Sequence, residues 1–356
     1  RNTGGGPALS TIDRIDFSND SAIASIRGLL NAPAGRLTTA ATSNSNYGWF
    51  GGGSEFTNDY STVDRIDFSN DSVTTSIRGP LSLGRGRLAA TSGQARSSSV
   101  RLAKTFGYGW FAGGFPGPVV ATVDRIDFSN DSSTASVRGS LSLARSVLAA
   151  IGNSNFGWFG GGNIPGSAPI SVVDRINYSN DTSISLLRGP LSLGRMGLSA
   201  TGTSNFAYYA GGATETPAPT TFRSTVDRID YSNDNATAVS RNNLTIARRS
   251  LAAIGNQSFG YFGGGGDAPS STIERLDYSS DTTAIAGRSN LTIPRNNLAA
   301  TGNNNFGYFS GNRDPSPGGS TVERLDYSND TATTTLRGPL TAGIGYLAAS
   351  SPTAFG

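Results

Sequence analysis

The 356-residue chain has no cysteine and no histidine, and only one methionine (Met196) and one lysine (Lys104). Without cysteine it has neither disulfides nor a thiol nucleophile. Without histidine it has no Ser-His-Asp or Cys-His machinery and no imidazole metal ligand. Charged residues make up only 15% and hydrophobic residues 36%. No apolar run reaches the roughly 18 residues of a membrane-spanning helix, so membrane insertion is not expected. No long stretch places apolar residues at helical spacing either. Glycine is abundant, at 47 residues, together with Ser, Thr and Asn, which suits an all-β chain of many tight turns. The sequence begins at Arg1, as expected of a chain processed or cut from a longer one.

One motif, [DE]-R-[IL]-[DN]-[FY]-S-[NS]-D, begins seven times, at Asp13, Asp64, Asp124, Asp174, Asp227, Glu274 and Glu323. Each copy before the last leads later into an aromatic–glycine segment such as Phe156-Gly157-Trp158-Phe159-Gly160-Gly161-Gly162. In the second copy, Ser61 to Phe68 alternates as a strand and Ser69-Asn70-Asp71-Ser72 is a turn. Val73 to Arg78 returns as another strand, and Gly79-Pro80 stops it. Leu88-Ala89-Ala90 and Tyr108 to Gly114 supply two more. A unit of four short strands cannot bury its faces alone, so the period predicts a β-propeller. The expected architecture is all-β, with seven blades of four antiparallel strands in a single domain over residues 1–356. The chain opens with Thr3-Gly4-Gly5-Gly6 and ends with Ala354-Phe355-Gly356, so the termini are expected to close the ring within one blade.

Charge follows the same period. Arginine recurs at Arg14, Arg65, Arg125, Arg175, Arg228, Arg275 and Arg324, and again 13 residues later at Arg27, Arg78, Arg138, Arg188, Arg241, Arg288 and Arg337. A third series is Arg36, Arg85, Arg145, Arg195, Arg248 and Arg295, with Ile344 in the seventh copy. Acids recur to match at the positions of Asp64, Asp67 (Asn177 in one copy) and Asp71. The net charge of +3 therefore arises outside the repeat. A balanced lattice is not the one-sided basic stripe of a nucleic-acid binder, so no nucleic-acid partner is expected. Both faces of each propeller sheet are covered, so strand charges such as Arg65 and Asp67 are expected to be partly buried and paired.

The order of parts resembles the kelch repeat. Arg145, Leu148-Ala149-Ala150, Trp158-Phe159-Gly160-Gly161, Asp174 to Asp181 and Gly189-Pro190-Leu191 match that family's unit in sequence. The outer strand departs from it, with Ile77, Val137 or Leu187 where the family usually has tryptophan. The resemblance implies a propeller and leaves function open. The copper oxidases of that group need histidine and cysteine ligands, which this chain lacks.

Several motifs have simpler structural readings. Asp67, Asn70 and Asp71 lack the spaced oxygen set and later glutamate of a calcium loop. The glycine triplets are followed by neither Gly-Lys-Ser/Thr nor a helix, so they are not phosphate loops. Trp49, Trp110, Trp158, Tyr208, Tyr261 and Tyr308 are expected as core between blades. No metal and no cofactor are expected.

Function is expected where the copies differ. The segments after the glycines vary and hold the acids outside the lattice; they are expected to share one face with the Gly-Pro-Leu crossings. Candidate binding residues there are Glu55, Asp59, Tyr60, Glu215, Phe222, Arg223, Asp267, Arg313 and Asp314. An insertion, Gln94 to Lys104, carries Arg96, Arg101 and Lys104 and is expected on the opposite face. The expected role is a non-enzymatic binding or structural module, extracellular or on a virion surface. Its partner would be a host-surface glycan or a neighbouring protein of a larger assembly. The near-identical, low-charge repeats are also similar to repeat proteins of bacteriophage virions and fibres. The alternatives are a glycan-acting propeller enzyme, sialidase- or lyase-like, and an intracellular kelch adaptor.

Overall fold

The computed structural model describes residues 10–31, 35–55, 58–70, 75–92, 107–115, 117–130, 132–214, 220–312 and 319–340. Among them, four antiparallel strands are laid down side by side six times. Sheet I comprises Ala40–Ser43, Tyr47–Gly51, Val63–Asp67 and Ser76–Arg78; sheet II comprises Ala89–Ser92, Tyr108–Ala112, Val123–Asp127 and Ser136–Arg138. Sheet III comprises Ala149–Gly152, Phe156–Gly160, Val173–Asn177 and Leu186–Arg188; sheet IV comprises Ser199–Gly202, Phe206–Ala210, Thr225–Asp230 and Val239–Asn243. Sheet V comprises Ala252–Gly255, Phe259–Gly263, Ser270–Asp277 and Ala286–Arg295; sheet VI comprises Ala299–Gly302, Phe306–Ser310, Val322–Asp326 and Thr335–Arg337. The chain is an all-β propeller.

Among the described residues there are six four-stranded sheets, not the expected seven. The first motif copy forms only a two-stranded sheet, Thr11–Arg14 with Ser25–Leu29. A blade needs four segments, and the motif supplies only the outer pair. The expected meeting of the termini falls on residues 1–9 and 341–356, outside the described residues. The two-stranded sheet bridges sheets VI and I. Gly338 N–H donates to Asp20 O at 2.9 Å, and Asn31 N–H donates to Asp64 Oδ1 at 2.9 Å.

The residue pattern explains the blade. The innermost strands are made of Ala, Ser, Thr, Ile and Gly, small enough for neighbouring sheets to crowd together. On the second strand, Trp158 is fully buried and stacks on Tyr231 of the next sheet, with ring centroids 3.9 Å apart. Trp49 on Phe128 and Trp110 on Tyr178 repeat this at 3.9 and 4.1 Å. Burying such rings is the main apolar gain of the ring architecture. The following glycine pair has a backbone reason. Gly161 and Gly162 lie at φ 68° and 117°, and a Cβ on Gly161 would stand 2.5 Å from Arg195 O. Outer strands are mostly three residues long, shorter than the alternation suggests, because the motif's turn takes up the preceding residues.

The segments after the glycines and the crossings between sheets lie on one face, as Ser146↔Asn163 and Met196↔Ala213 bridges show. There the second residue after each third-series arginine is left-handed: Thr38, Arg87, Val147, Gly197, Ser250 and Asn297, with φ from 49° to 65°. These residues form a belt. Arg87, Val147 and Gly197 N–H groups each donate to the carbonyl of the preceding member at 3.1 Å, and Ser250 and Asn297 continue it at 2.9 and 3.0 Å.

Candidate functional site on the loop-bearing face

What the repeat consumes defines what is left for recognition. In sheet III, Arg145 comes from the crossing that enters the sheet. Its Nη1 donates to Asp174 Oδ2 at 2.7 Å and its Nη2 to Phe159 O at 2.9 Å, with both side chains fully buried. Arg85 binds Asp124 in the same way at 2.7 Å, and Arg36 binds Asp64. Arg195–Asp227, Arg248–Glu274 and Arg295–Glu323 complete the series at 2.7, 2.6 and 2.6 Å. Burial pushes each of these guanidinium pKa values down, and the carboxylate pushes it partly back up. These pairs fasten each crossing to its own sheet.

A second set of clusters joins neighbouring sheets. Asp181 of sheet III accepts from Trp110 Nε1 of sheet II at 2.7 Å and pairs with Arg125 and Arg138 at 3.2 and 3.6 Å. Asp234 does the same with Trp158, Arg175 and Arg188, and Asp281 with Tyr208, Arg228 and Arg241. Asp20 does so with Tyr308, Arg324 and Arg337. The two-stranded sheet therefore meets sheet VI as sheet III meets sheet II. First-series arginines also lie over aromatic rings, Arg65 over Tyr47 at 4.3 Å and Arg125 over Tyr108 at 4.0 Å. Arg78 Nη2 donates to Ser76 Oγ at 3.0 Å.

Asp67 departs from the expected lattice. It is held by Ser69, whose N–H and Oγ donate to Oδ1 at 2.9 and 2.7 Å. The strand ends there, and a local turn offers nearer donors than a neighbouring sheet. These bonds draw its pKa down, as at Asp16, Asp230, Asp277 and Asp326. Asp71 lies outside the described residues.

The loop candidates fall into two groups. Ser54–Glu55 pairs with Asn58–Asp59 in a short hairpin, and Tyr60 Oη donates to Glu55 Oε2 at 2.8 Å. That bond raises the Tyr60 pKa, and desolvation raises that of Asp59 against the opposing charge of Arg87. The second group gathers around Arg249, which the sequence reading missed. Its guanidinium lies over the Phe222 ring at 5.6 Å and pairs with Asp267 at 3.1 Å. Ala213–Thr214 and Thr221–Phe222 form the hairpin that presents Phe222, and Arg223 Nη2 donates to Thr214 Oγ1 at 3.1 Å. The available signal was the Arg248-Arg249 doublet, an extra cation beside a lattice one. Glu215, Arg313, Asp314, Arg96, Arg101 and Lys104 lie outside the described residues.

In the six described innermost strands Ala41, Ala90, Ala150, Ala200, Ala253 and Ala300 are half-buried, as are Ser43, Ser92, Gly152, Ser199, Ala299 and Thr301, and those strands contain no titratable group. Among the described residues no three acids cluster as metal ligands, and no helix is long and apolar enough to cross a membrane.

No family model matches the sequence, and no curated protein matches it. Solved structures do, in 637 chains, so the fold is too widely shared to carry a function. One of them, titled "Structure of YjhT", is 11% identical over 86% of this chain and 98% of its own, with a TM-score of 0.64. At that identity the likeness shows the propeller fold alone.

Proposed function

We propose that this protein is a non-enzymatic binding or structural module that recognises its partner through the variable loops of one face. The observation that carries this is the division of charged groups. The repeated ions are spent on fastening crossings and sheets, whereas Glu55, Asp59, Phe222, Arg223 and Asp267 stand outside the repeat on the loop-bearing face. The ring itself is read as kelch-like, one domain over residues 1–356 built on seven copies of the motif. The occupant of the loop face is a host-surface glycan or a neighbouring protein, and the setting is extracellular or a virion surface, in keeping with the low-charge Gly/Ser/Thr/Asn composition.

The test is a glycan array read with the native chain and with Ala213–Ser224 replaced by a short glycine turn. Lost binding with an unchanged melting temperature supports the loop face; undiminished binding after the replacement contradicts it.

A further inference from the structure

In the belt of left-handed residues on the loop face, the copies share a backbone but no side chain. The position two after each third-series arginine holds Thr38, Arg87, Val147, Gly197, Ser250 and Asn297, a different residue in every described copy. A leucine follows it in five of these six, at Leu88, Leu148, Leu198, Leu251 and Leu298. Glycine suits a positive φ best, yet only Gly197 uses it, and Thr38 and Val147 hold φ 57° with β-branched side chains. Side chains kept against the preference of their backbone point to a use for the side chains themselves. They reach the surface: Arg87 is exposed, and Thr38, Val147, Ser250 and Asn297 are half-buried. The belt also joins the two groups of loop candidates. The Thr38 hydroxyl lies 3.1 Å from that of Ser54, in the hairpin of Glu55 and Asp59, and the Arg87 charge acts on the Asp59 carboxylate. Ser250 follows Arg249, which meets Phe222 and Asp267.

We infer that this belt is the specificity-determining surface of the loop face and that it receives a terminal, uncharged sugar of a glycan. Successive members are one backbone hydrogen bond apart, which sets them about 5 Å from one another, so one sugar ring touches several at once. Arg87 donates to sugar hydroxyls, and the Thr38 and Ser250 hydroxyls donate or accept. The Asn297 amide nitrogen donates to Asn296 Oδ1 at 3.2 Å, which leaves its carbonyl oxygen to accept from the ligand. Val147 packs against a C–H face of the sugar. None of the described belt side chains is acidic, and the one cation has Asp59 close by, so the ligand needs no charge. The belt bonds hold these side chains in place before the ligand arrives, which lowers the entropic cost of binding. The inference rests on the loop-face reading and names the part of that face that touches the ligand.

An array of oligosaccharides ending in glucose, galactose, mannose or N-acetylglucosamine tests the belt. The native chain is expected to bind at least one of these sugars. A double variant, Arg87→Gly with Ser250→Gly, strips two belt side chains at φ 56° and 57°, where glycine is at ease. It should keep the native melting temperature and bind the same sugar about tenfold or more weakly, with Arg87→Lys intermediate. Ile77→Ser, on an exposed outer strand away from the belt, should bind as the native chain does. Absence of binding to all four sugars, or undiminished binding by the double variant, would overturn the inference. Undiminished binding by the double variant that is nevertheless lost on replacing Ala213–Ser224 would overturn it while leaving the loop-face reading intact.

Discussion

The Ser185 hydroxyl donates to Asp174 Oδ1 at 2.7 Å, and so completes the coordination of a carboxylate whose other oxygen is held by Arg145. The equivalent hydroxyls of Thr75 and Thr334 reach Asp64 and Glu323. In sheets II and IV the position is Ala135 and Ala238, and there Asp124 Oδ1 and Asp227 Oδ1 are buried without a donor. The five sheets read as a natural substitution series.

Ala135→Ser supplies the missing donor and is expected to stabilise the fold by about 1 kcal/mol, and Ser185→Ala to destabilise it by about 1–3 kcal/mol. Urea unfolding midpoints of the two variants check both signs. An Ala135→Ser midpoint below that of the native chain would mean the site has no room for the hydroxyl.

Much of this was legible in the sequence, and the boundary has physical causes. The strands could be read because small, aromatic and alternating segments recur with the motif. That the recurring acids and arginines belong together could be read from their matching periods. Which acid meets which arginine could not be, since Arg125 reaches Asp181 across 56 residues and an inter-sheet gap. Asp67 was misassigned because a turn acid and a lattice acid have the same period. Arg249 was missed because it occurs once, and repetition was the guide. The described residues form six full sheets against seven motif copies, because the motif marks only the outer half of a blade.

The crossings pack tightly enough to forbid a methyl group. A Cβ on Gly139 would lie 1.6 Å from Ser183 O of the next sheet, and neither backbone can yield without breaking the Gly139 N–H bond to Asp181 O at 2.8 Å. Gly139→Ala is expected to cost about 3 kcal/mol or more. Val147 presents the opposite case, a β-branched residue at φ 57°. Val147→Gly relieves that strain and is expected to change stability by no more than about 1 kcal/mol. Paired thermal melts decide it, and similar losses at both positions would contradict the packing described.

Acid should weaken the fold through the turn carboxylates. Bonds from serine hold Asp67, Asp230, Asp277 and Asp326 below the ordinary carboxylate pKa of 3.8. A depressed native pKa means stability that is fully present above 3.8 and lost as pH falls through that value and below. Asn177 makes the same two bonds with Ser179, at 3.0 and 2.8 Å, with no proton to take up. Replacing the four acids by asparagine should therefore shrink the fall in melting temperature between pH 5 and pH 3 relative to the native chain. A fall of undiminished size would assign acid sensitivity elsewhere.

Asp20 tests whether the two-stranded sheet holds to sheet VI as sheet III holds to sheet II. Asp20→Ala and Asp181→Ala each strand two arginines, so their losses in melting temperature should be alike. A negligible loss for Asp20→Ala alone would break the equivalence.

The most direct measurement is a double-mutant comparison at the Arg145–Asp174 pair. Arg145→Met leaves a buried carboxylate uncompensated and is expected to cost on the order of 3–5 kcal/mol, whereas Arg145→Met with Asp174→Leu removes both charges and should recover a large part of that loss. A single variant as stable as the native protein, or a double variant as damaged as the sum of its parts, would contradict the claim that buried, mutually neutralised ions hold each crossing to its sheet.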